Sequence, residues 1–133
     1  MAETNISQTF IKSQKDKYGR FLYIEKTFNP LKKGEPDISA IYKGMPVYLE
    51  TKLINSISLT NLYPFKKLQL ENLAIKARAG AMCIGLLGNG KEYRYIMHDK
   101  LTEHITKEQY LSAEIFEWEK LKSLWIKSIL TSF

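Results

Sequence analysis

Two acids and an amine, Asp37, Glu50 and Lys52, stand close enough along this chain to do chemistry together. They lie in Gly34-Glu35-Pro36-Asp37 and, beginning thirteen positions after the aspartate, in Glu50-Thr51-Lys52. Hard divalent cations such as Mg²⁺, with Mn²⁺ as a substitute, prefer carboxylate and carbonyl oxygens and keep several waters. Asp37, Glu50 and the backbone carbonyl of Thr51 therefore make an open ligand set. An ion held there would polarise a scissile phosphate and acidify a bound water, while Lys52 would orient that water or neutralise charge developing on the phosphate. On a solvated strand face the same residues would be no more than an ion-pair network. Which reading applies depends on the elements that carry them.

Ile38-Ser39-Ala40-Ile41-Tyr42 and Val47-Tyr48-Leu49-Glu50-Thr51-Lys52 are β-prone runs, and Lys43-Gly44-Met45-Pro46 between them has turn chemistry. The spacing predicts a hairpin. A turn centred near Gly44-Met45 pairs residues whose numbers sum to about 89, which sets the start of the first strand beside the end of the second. Glu50 and Lys52, two apart, share a face, and Asp37 converges on them if the chain bends at Pro36.

Those residues, with their neighbours, resemble the PD-(D/E)xK nuclease superfamily and, within it, the RecU-type Holliday junction resolvases. Asp37 to Gly44 followed by Tyr48-Leu49-Glu50-Thr51-Lys52 is similar to that family's aspartate, Val-Tyr-Lys-Gly turn and Phe-Glu-Ala-Lys strand, and Ser56-Ile57-Ser58-Leu59-Thr60-Asn61-Leu62 to its Ser-Phe-Pro-Leu-x-Asn-Ile loop. The resemblance covers residues 34 to 75 well and 80 to 97 more loosely. It implies an α/β (α+β) fold with a restriction-endonuclease-like mixed central sheet flanked by helices, Mg²⁺ as cofactor and branched DNA as partner. It also implies a homodimer, since two symmetric cuts need two sites. Further roles follow from it: Gln69 at the head of the next helix beside Asp37, Glu50 and Lys52, an additional acid on the first helix for which Glu3 is available and Glu25 a substitute, and substrate contacts from Ser56, Thr60 and Asn61. The chain departs from that family in two places. The inserted stalk that enters the junction has only Lys26 to Gly34 to occupy its interval, and the histidines before the glutamine are absent.

The surrounding sequence is consistent with one globular domain over residues 1–133, large enough to bury about two thirds of its unfolded surface. No apolar run approaches the ~20 residues a membrane helix needs. The first residues lack a basic stretch followed by an apolar core, so secretion is not expected; together with the resemblance this implies a cytoplasmic protein of a bacterium or phage-infected cell. Cys83 is the only cysteine and sits in the apolar run Ala81 to Gly85, which marks it as a core residue. The formal charge is +6. Lys32 and Lys33 before the acids, and Lys66 and Lys67 at the next helix, are placed to neutralise phosphates.

A polar helix is expected from about Thr4 to Lys15 with Ile6, Phe10 and Ile11 inward, then a strand at Phe21 to Lys26. A Ser/Thr/Asn-rich loop from Leu53 to Pro64 leads to a helix from Phe65 to Ala79 with Phe65, Leu68, Leu73 and Ala77 on one side. Ala81 to Leu87 reads as a buried strand, Gly88-Asn89-Gly90 as a turn and Glu92 to Met97 as its partner. His98 and His104 read as surface or turn residues. Thr106-x-x-Gln109 has capping-box form and opens a C-terminal helix with Ser112 as its breaking point. Three functions compete: a resolvase, a nuclease for a flap, nick or restriction-type duplex site, and a DNA-binding module without catalysis.

Overall fold

The computed structural model describes residues 3–27, 33–54 and 65–131, with side chains from residue 6 onward in the first stretch. Ser56, Thr60, Asn61 and Lys32 fall outside the described residues, as does the side chain of Glu3.

Alternation of apolar and polar residues builds the sheet. Strands β1 (Leu22–Lys26), β2 (Ile38–Tyr42), β3 (Met45–Leu53), β4 (Met82–Gly88), β5 (Tyr93–Met97) and β6 (Glu114–Ile115) form one six-stranded sheet in chain order. All neighbours are antiparallel except β3 and β4, which run parallel with Glu50 opposite Gly85. A parallel pair needs a crossover, and helix α2 (Lys67–Arg78) lies in it. Helices α1 (Glu3–Tyr18), α3 (Lys107–Ser112) and α4 (Trp118–Thr131) complete the layers. Among the described residues no helix is long and apolar enough to cross a membrane.

The hairpin turns one residue earlier than the expected centre. Tyr42 pairs with Met45, so Lys43 and Gly44 are the two turn residues, with φ of 45° and 87°. Positive φ at both positions matches the right-handed twist of the flanking strands, which explains why Lys43-Gly44 and not Gly44-Met45 takes the corner. The paired numbers therefore sum to 87, two less than the turn assignment predicted, and Asp37 faces Glu50 and not Lys52. Pro46 precedes the β4 ladder, which starts at Val47, and so costs that ladder no hydrogen bond.

Each sheet face has its own core. Phe10 of α1 and Trp118 and Leu121 of α4 pack with Ile24, Ala40, Tyr42, Val47, Leu49, Ile84 and Leu86. Trp118 stacks on Tyr42 at 5.5 Å and donates its indole N–H to Gln14 at 2.8 Å, so the largest buried ring is both packed and hydrogen-bonded. On the other face Phe65, Leu73, Cys83, Leu87, Leu101, Ile105 and Tyr110 pack together. Cys83 is buried there, and burial pushes its thiol up to about 12, as befits a core residue.

α1 ends at Tyr18, where Gly19 at positive φ stops it. Two features of the later helices differ from expectation. Leu68 is exposed instead of joining the buried side of α2. The C-terminal region is two helices separated by β6: α3 opens on the Thr106–Gln109 capping box, and after Ser112 the chain straightens and pairs Ile115 with Arg94. Of the aromatic and aliphatic positions at helical spacing there, Tyr110, Trp118 and Leu121 are buried, while Ile115 and Leu124 are exposed.

Gly85 lets the second core close beside β3. A Cβ added there would lie 2.6 Å from Phe65 Cζ and 2.9 Å from Leu101 Cδ2. Gly85→Ala is expected to cost about 1–3 kcal/mol of stability by overpacking. Urea unfolding measures it, and an unchanged midpoint would show that Phe65 yields freely.

Candidate active site

Alternation along β3 sends Tyr48, Glu50 and Lys52 to the face covered by α2, and Val47, Leu49 and Thr51 to the face covered by α1. All of Glu50, Thr51 and Lys52 are buried. Three consecutive polar residues on a central strand are costly unless each is partnered, and each is.

Asp37 stands just before β2, where the chain leaves the ladder. Its main-chain N–H donates to Glu50 Oε2 at 3.2 Å, and its Oδ2 accepts from the Thr51 N–H at 3.1 Å and the Thr51 hydroxyl at 2.8 Å. The Thr51 hydroxyl in turn bonds Ser7 of α1 at 2.6 Å, tying the site to that helix. Because the Thr51 N–H points away from β4 toward Asp37, its carbonyl points the same way, past the end of the β2 ladder.

Glu50 Oε1 accepts from Gln69 Nε2 at 3.0 Å and has Lys52 Nζ at 3.6 Å. Gln69 has a second task. Its Oε1 accepts the Lys66 N–H at 3.0 Å, satisfying a donor at the start of α2. The return half of a capping box is absent, because a lysine side chain has no acceptor to offer. Lys33, Lys66 and Lys67 are exposed nearby. Glu25 is not brought to the acids: it lies exposed on β1 and accepts the Tyr23 phenol at 2.8 Å.

Burial, then the neighbouring Asp37 charge, raises the Glu50 carboxyl to about 8, although Lys52 and the Asp37 N–H pull it down. Two acids thus share one ammonium in a place with little water, and the metal-free Glu50 holds its proton up to about pH 8. Among the described residues no three His, Cys, Asp or Glu gather to hold a metal ion. The oxygen donors at hand are Asp37, Glu50 and the Thr51 carbonyl. That small set of hard donors, one of them a carboxyl that burial keeps protonated until a positive charge arrives, fits a cation such as Mg²⁺ that retains much of its water.

Sequence reasoning left several neighbours without a role. Asn72 Nδ2 donates to the Lys33 carbonyl at 3.3 Å, and Lys76 meets Glu35 at 3.4 Å. The signal was helical spacing: positions 69, 72 and 76 fall on one face of α2.

Neither a family model nor a curated protein matches the chain. Among solved structures it is similar to Hjc of Archaeoglobus fulgidus, a Holliday junction resolvase from an archaeal hyperthermophile, with a TM-score of 0.65 and 18% identity over 84% of this chain and 94% of that one. The fold is restriction-endonuclease-like, a mixed six-stranded sheet flanked by helices as in Hjc.

The raised Glu50 carboxyl fixes a pH dependence for the metal-free protein. Below the ordinary value of 4.5 the group is protonated in folded and unfolded chains alike, and its contribution is fully present. Between 4.5 and about 8 the unfolded chain releases the proton while the folded chain holds it, so stability falls as pH rises across that window. Urea midpoints measured in chelator should decline from the acidic to the basic end, and Glu50→Gln should flatten the decline. An equal slope in the variant would reject the assignment.

Proposed function

We propose that this chain is a Mg²⁺-dependent endodeoxyribonuclease that cuts branched DNA, a Holliday junction resolvase working as a homodimer, with residues 1–133 as one nuclease domain. The observation that carries it is the convergence of Asp37 and Glu50 beside Lys52, with Glu50 buried next to a second acid, in a fold like that of Hjc. An ion-pair network built for stability would not bury a carboxyl so deeply that it keeps its proton beside a second acid, because such a group loses its pairing energy. This favours the enzyme over a purely DNA-binding module. The motif resemblance to RecU-type resolvases supports the same chemistry from residues 34 to 75.

Asp37, Glu50 and the Thr51 carbonyl would hold the ion, which supplies Lewis-acid polarisation of the phosphate and of water. Thr51 fixes the Asp37 carboxylate by two hydrogen bonds, and Gln69 and the Asp37 N–H fix that of Glu50. Neither acid must reorganise when substrate arrives. The Lys52 ammonium is held within reach of the reacting phosphate and offsets charge developing on it. Gln69 acts through Glu50. The exposed Lys33, Lys66 and Lys67, together with Lys32, supply phosphate contacts flanking the cut, and Ser56, Thr60 and Asn61 supply neutral donors.

A specific observation favours a second substrate reading, a flap, nick or duplex site. The Lys26–Ile38 pair and the bond from Thr27 N–H to the Asp37 carbonyl close the β1–β2 connection over residues 28–36. That interval is too short for a junction-entering stalk.

Cleavage of four-way junction, Y-fork, flap and linear duplex at matched salt in Mg²⁺ decides between them. The resolvase reading expects the junction to be cut preferentially, and comparable cutting of all four leaves the nuclease without it. Asp37→Asn should slow cleavage by about 100-fold or more while DNA binding is kept or tightened, because a negative charge near phosphate is lost. Equal cleavage by both proteins would end the enzyme reading.

A further inference from the structure

Asp37 itself is tied by its carbonyl to Thr27 and by its carboxylate to Thr51, but residues 33–36 before it belong to no strand, so another contact must set their path. One face of α2 does. Gly34, at φ 82°, is pressed against that helix so closely that a Cβ would meet Leu68 Cγ and Asn72 Nδ2 at 2.6 Å. Asn72 holds the preceding carbonyl, and Lys76 Nζ lies 3.4 Å from each oxygen of Glu35. The Glu35 and Lys76 side chains are only 15% and 19% exposed. The ammonium also sits 5.1 Å from the ring centroid of Tyr48, two residues before Glu50 on the same strand face. An exposed pair contributes little. This one is largely buried, anchored to an aromatic ring, and two residues from an acid.

We infer that Glu35 and Lys76 are a positioning pair that locks the Asp37 segment onto the face of α2 that also holds Glu50. The helix then sets the spacing of the two acids, through Gln69 on one side and through Asn72 and Lys76 on the other. The consequence for cleavage rests on the nuclease reading above. The consequence for geometry does not.

The Thr51 amide reports Asp37 directly, because it donates to that carboxylate. Hydrogen exchange by NMR, with the core amide of Ile84 as reference, is measured for wild type, Glu35→Gln, Lys76→Met and the exchanged pair Glu35→Lys/Lys76→Glu. In each single variant Thr51 exchange should accelerate on the order of tenfold while Ile84 is unchanged. The Mg²⁺ concentration for half-maximal cleavage should rise several-fold with the KM for DNA little altered. The exchanged pair should recover most of both effects. Unaltered Thr51 exchange, or acceleration of Thr51 and Ile84 together, overturns the inference, since the pair would then be idle or merely stabilising. If wild type cuts no DNA but Thr51 responds as described, the nuclease reading falls and the positioning pair stands.

Discussion

Glu50 is a carboxylate near the middle of a sheet, about 1% exposed and next to a second carboxylate, and the surrounding architecture can be read as the means of keeping it there. Desolvation alone would protonate or expel such a group. Three donors reach it from three parts of the chain: the Asp37 main chain, Gln69 of α2 and Lys52 of its own strand. Each depends on a different structural decision, namely the hairpin register, the crossover helix and the period of the strand. A slip of one residue in β3 would turn Glu50 and Lys52 into the opposite core.

The parallel β3–β4 pair explains how the site is enclosed without being filled. Antiparallel β2 ends at Ile38, so β3 runs on past it beside β4, leaving the main-chain groups of Thr51 on the β2 side for Asp37. On the α2 face, Gly85 opposite Glu50 contributes no side chain, and Phe65 and Leu101 take the vacated volume. Apolar atoms beside the acid remove water, and removing water is what strengthens each charge in the site. The packing and the raised carboxyl are therefore one fact seen twice.

Much of this was legible in the residues. Strand alternation gave the faces of Glu50 and Lys52, and the apolar run at Ala81 to Leu87 gave a buried strand. Lys is an uncommon residue at positive φ, so the residues alone point to a corner at Gly44-Met45, one position after the observed Lys43-Gly44. Leu68 was assigned inward by period alone, yet it sits over Gly34 at the rim of the site, a contact that sequence spacing along a single helix does not encode. Glu35 and Lys76 are 41 positions apart, and no local pattern joins them. They become neighbours only when the crossover returns α2 across the hairpin.

Chemistry and selectivity are carried by different parts of such a chain. The acids and Lys52 sit on or beside paired strands whose register fixes them, as the proposed hydrolytic centre would require, since small displacements of reacting groups are costly. The two sequence intervals that enter and leave this centre, Lys26 to Gly34 and Leu53 to Pro64, are those in which the chain departs from RecU-type sequences: the stalk is missing from the first, and the histidines are missing at the end of the second. Connections tolerate changes of length and composition that strands do not. A fold that keeps its strand-borne acids while altering both connections can retain phosphodiester hydrolysis and accept a differently shaped DNA. On the proposed nuclease reading, substrate shape is thus a property of the connections, and the strand geometry constrains it only through where they begin and end.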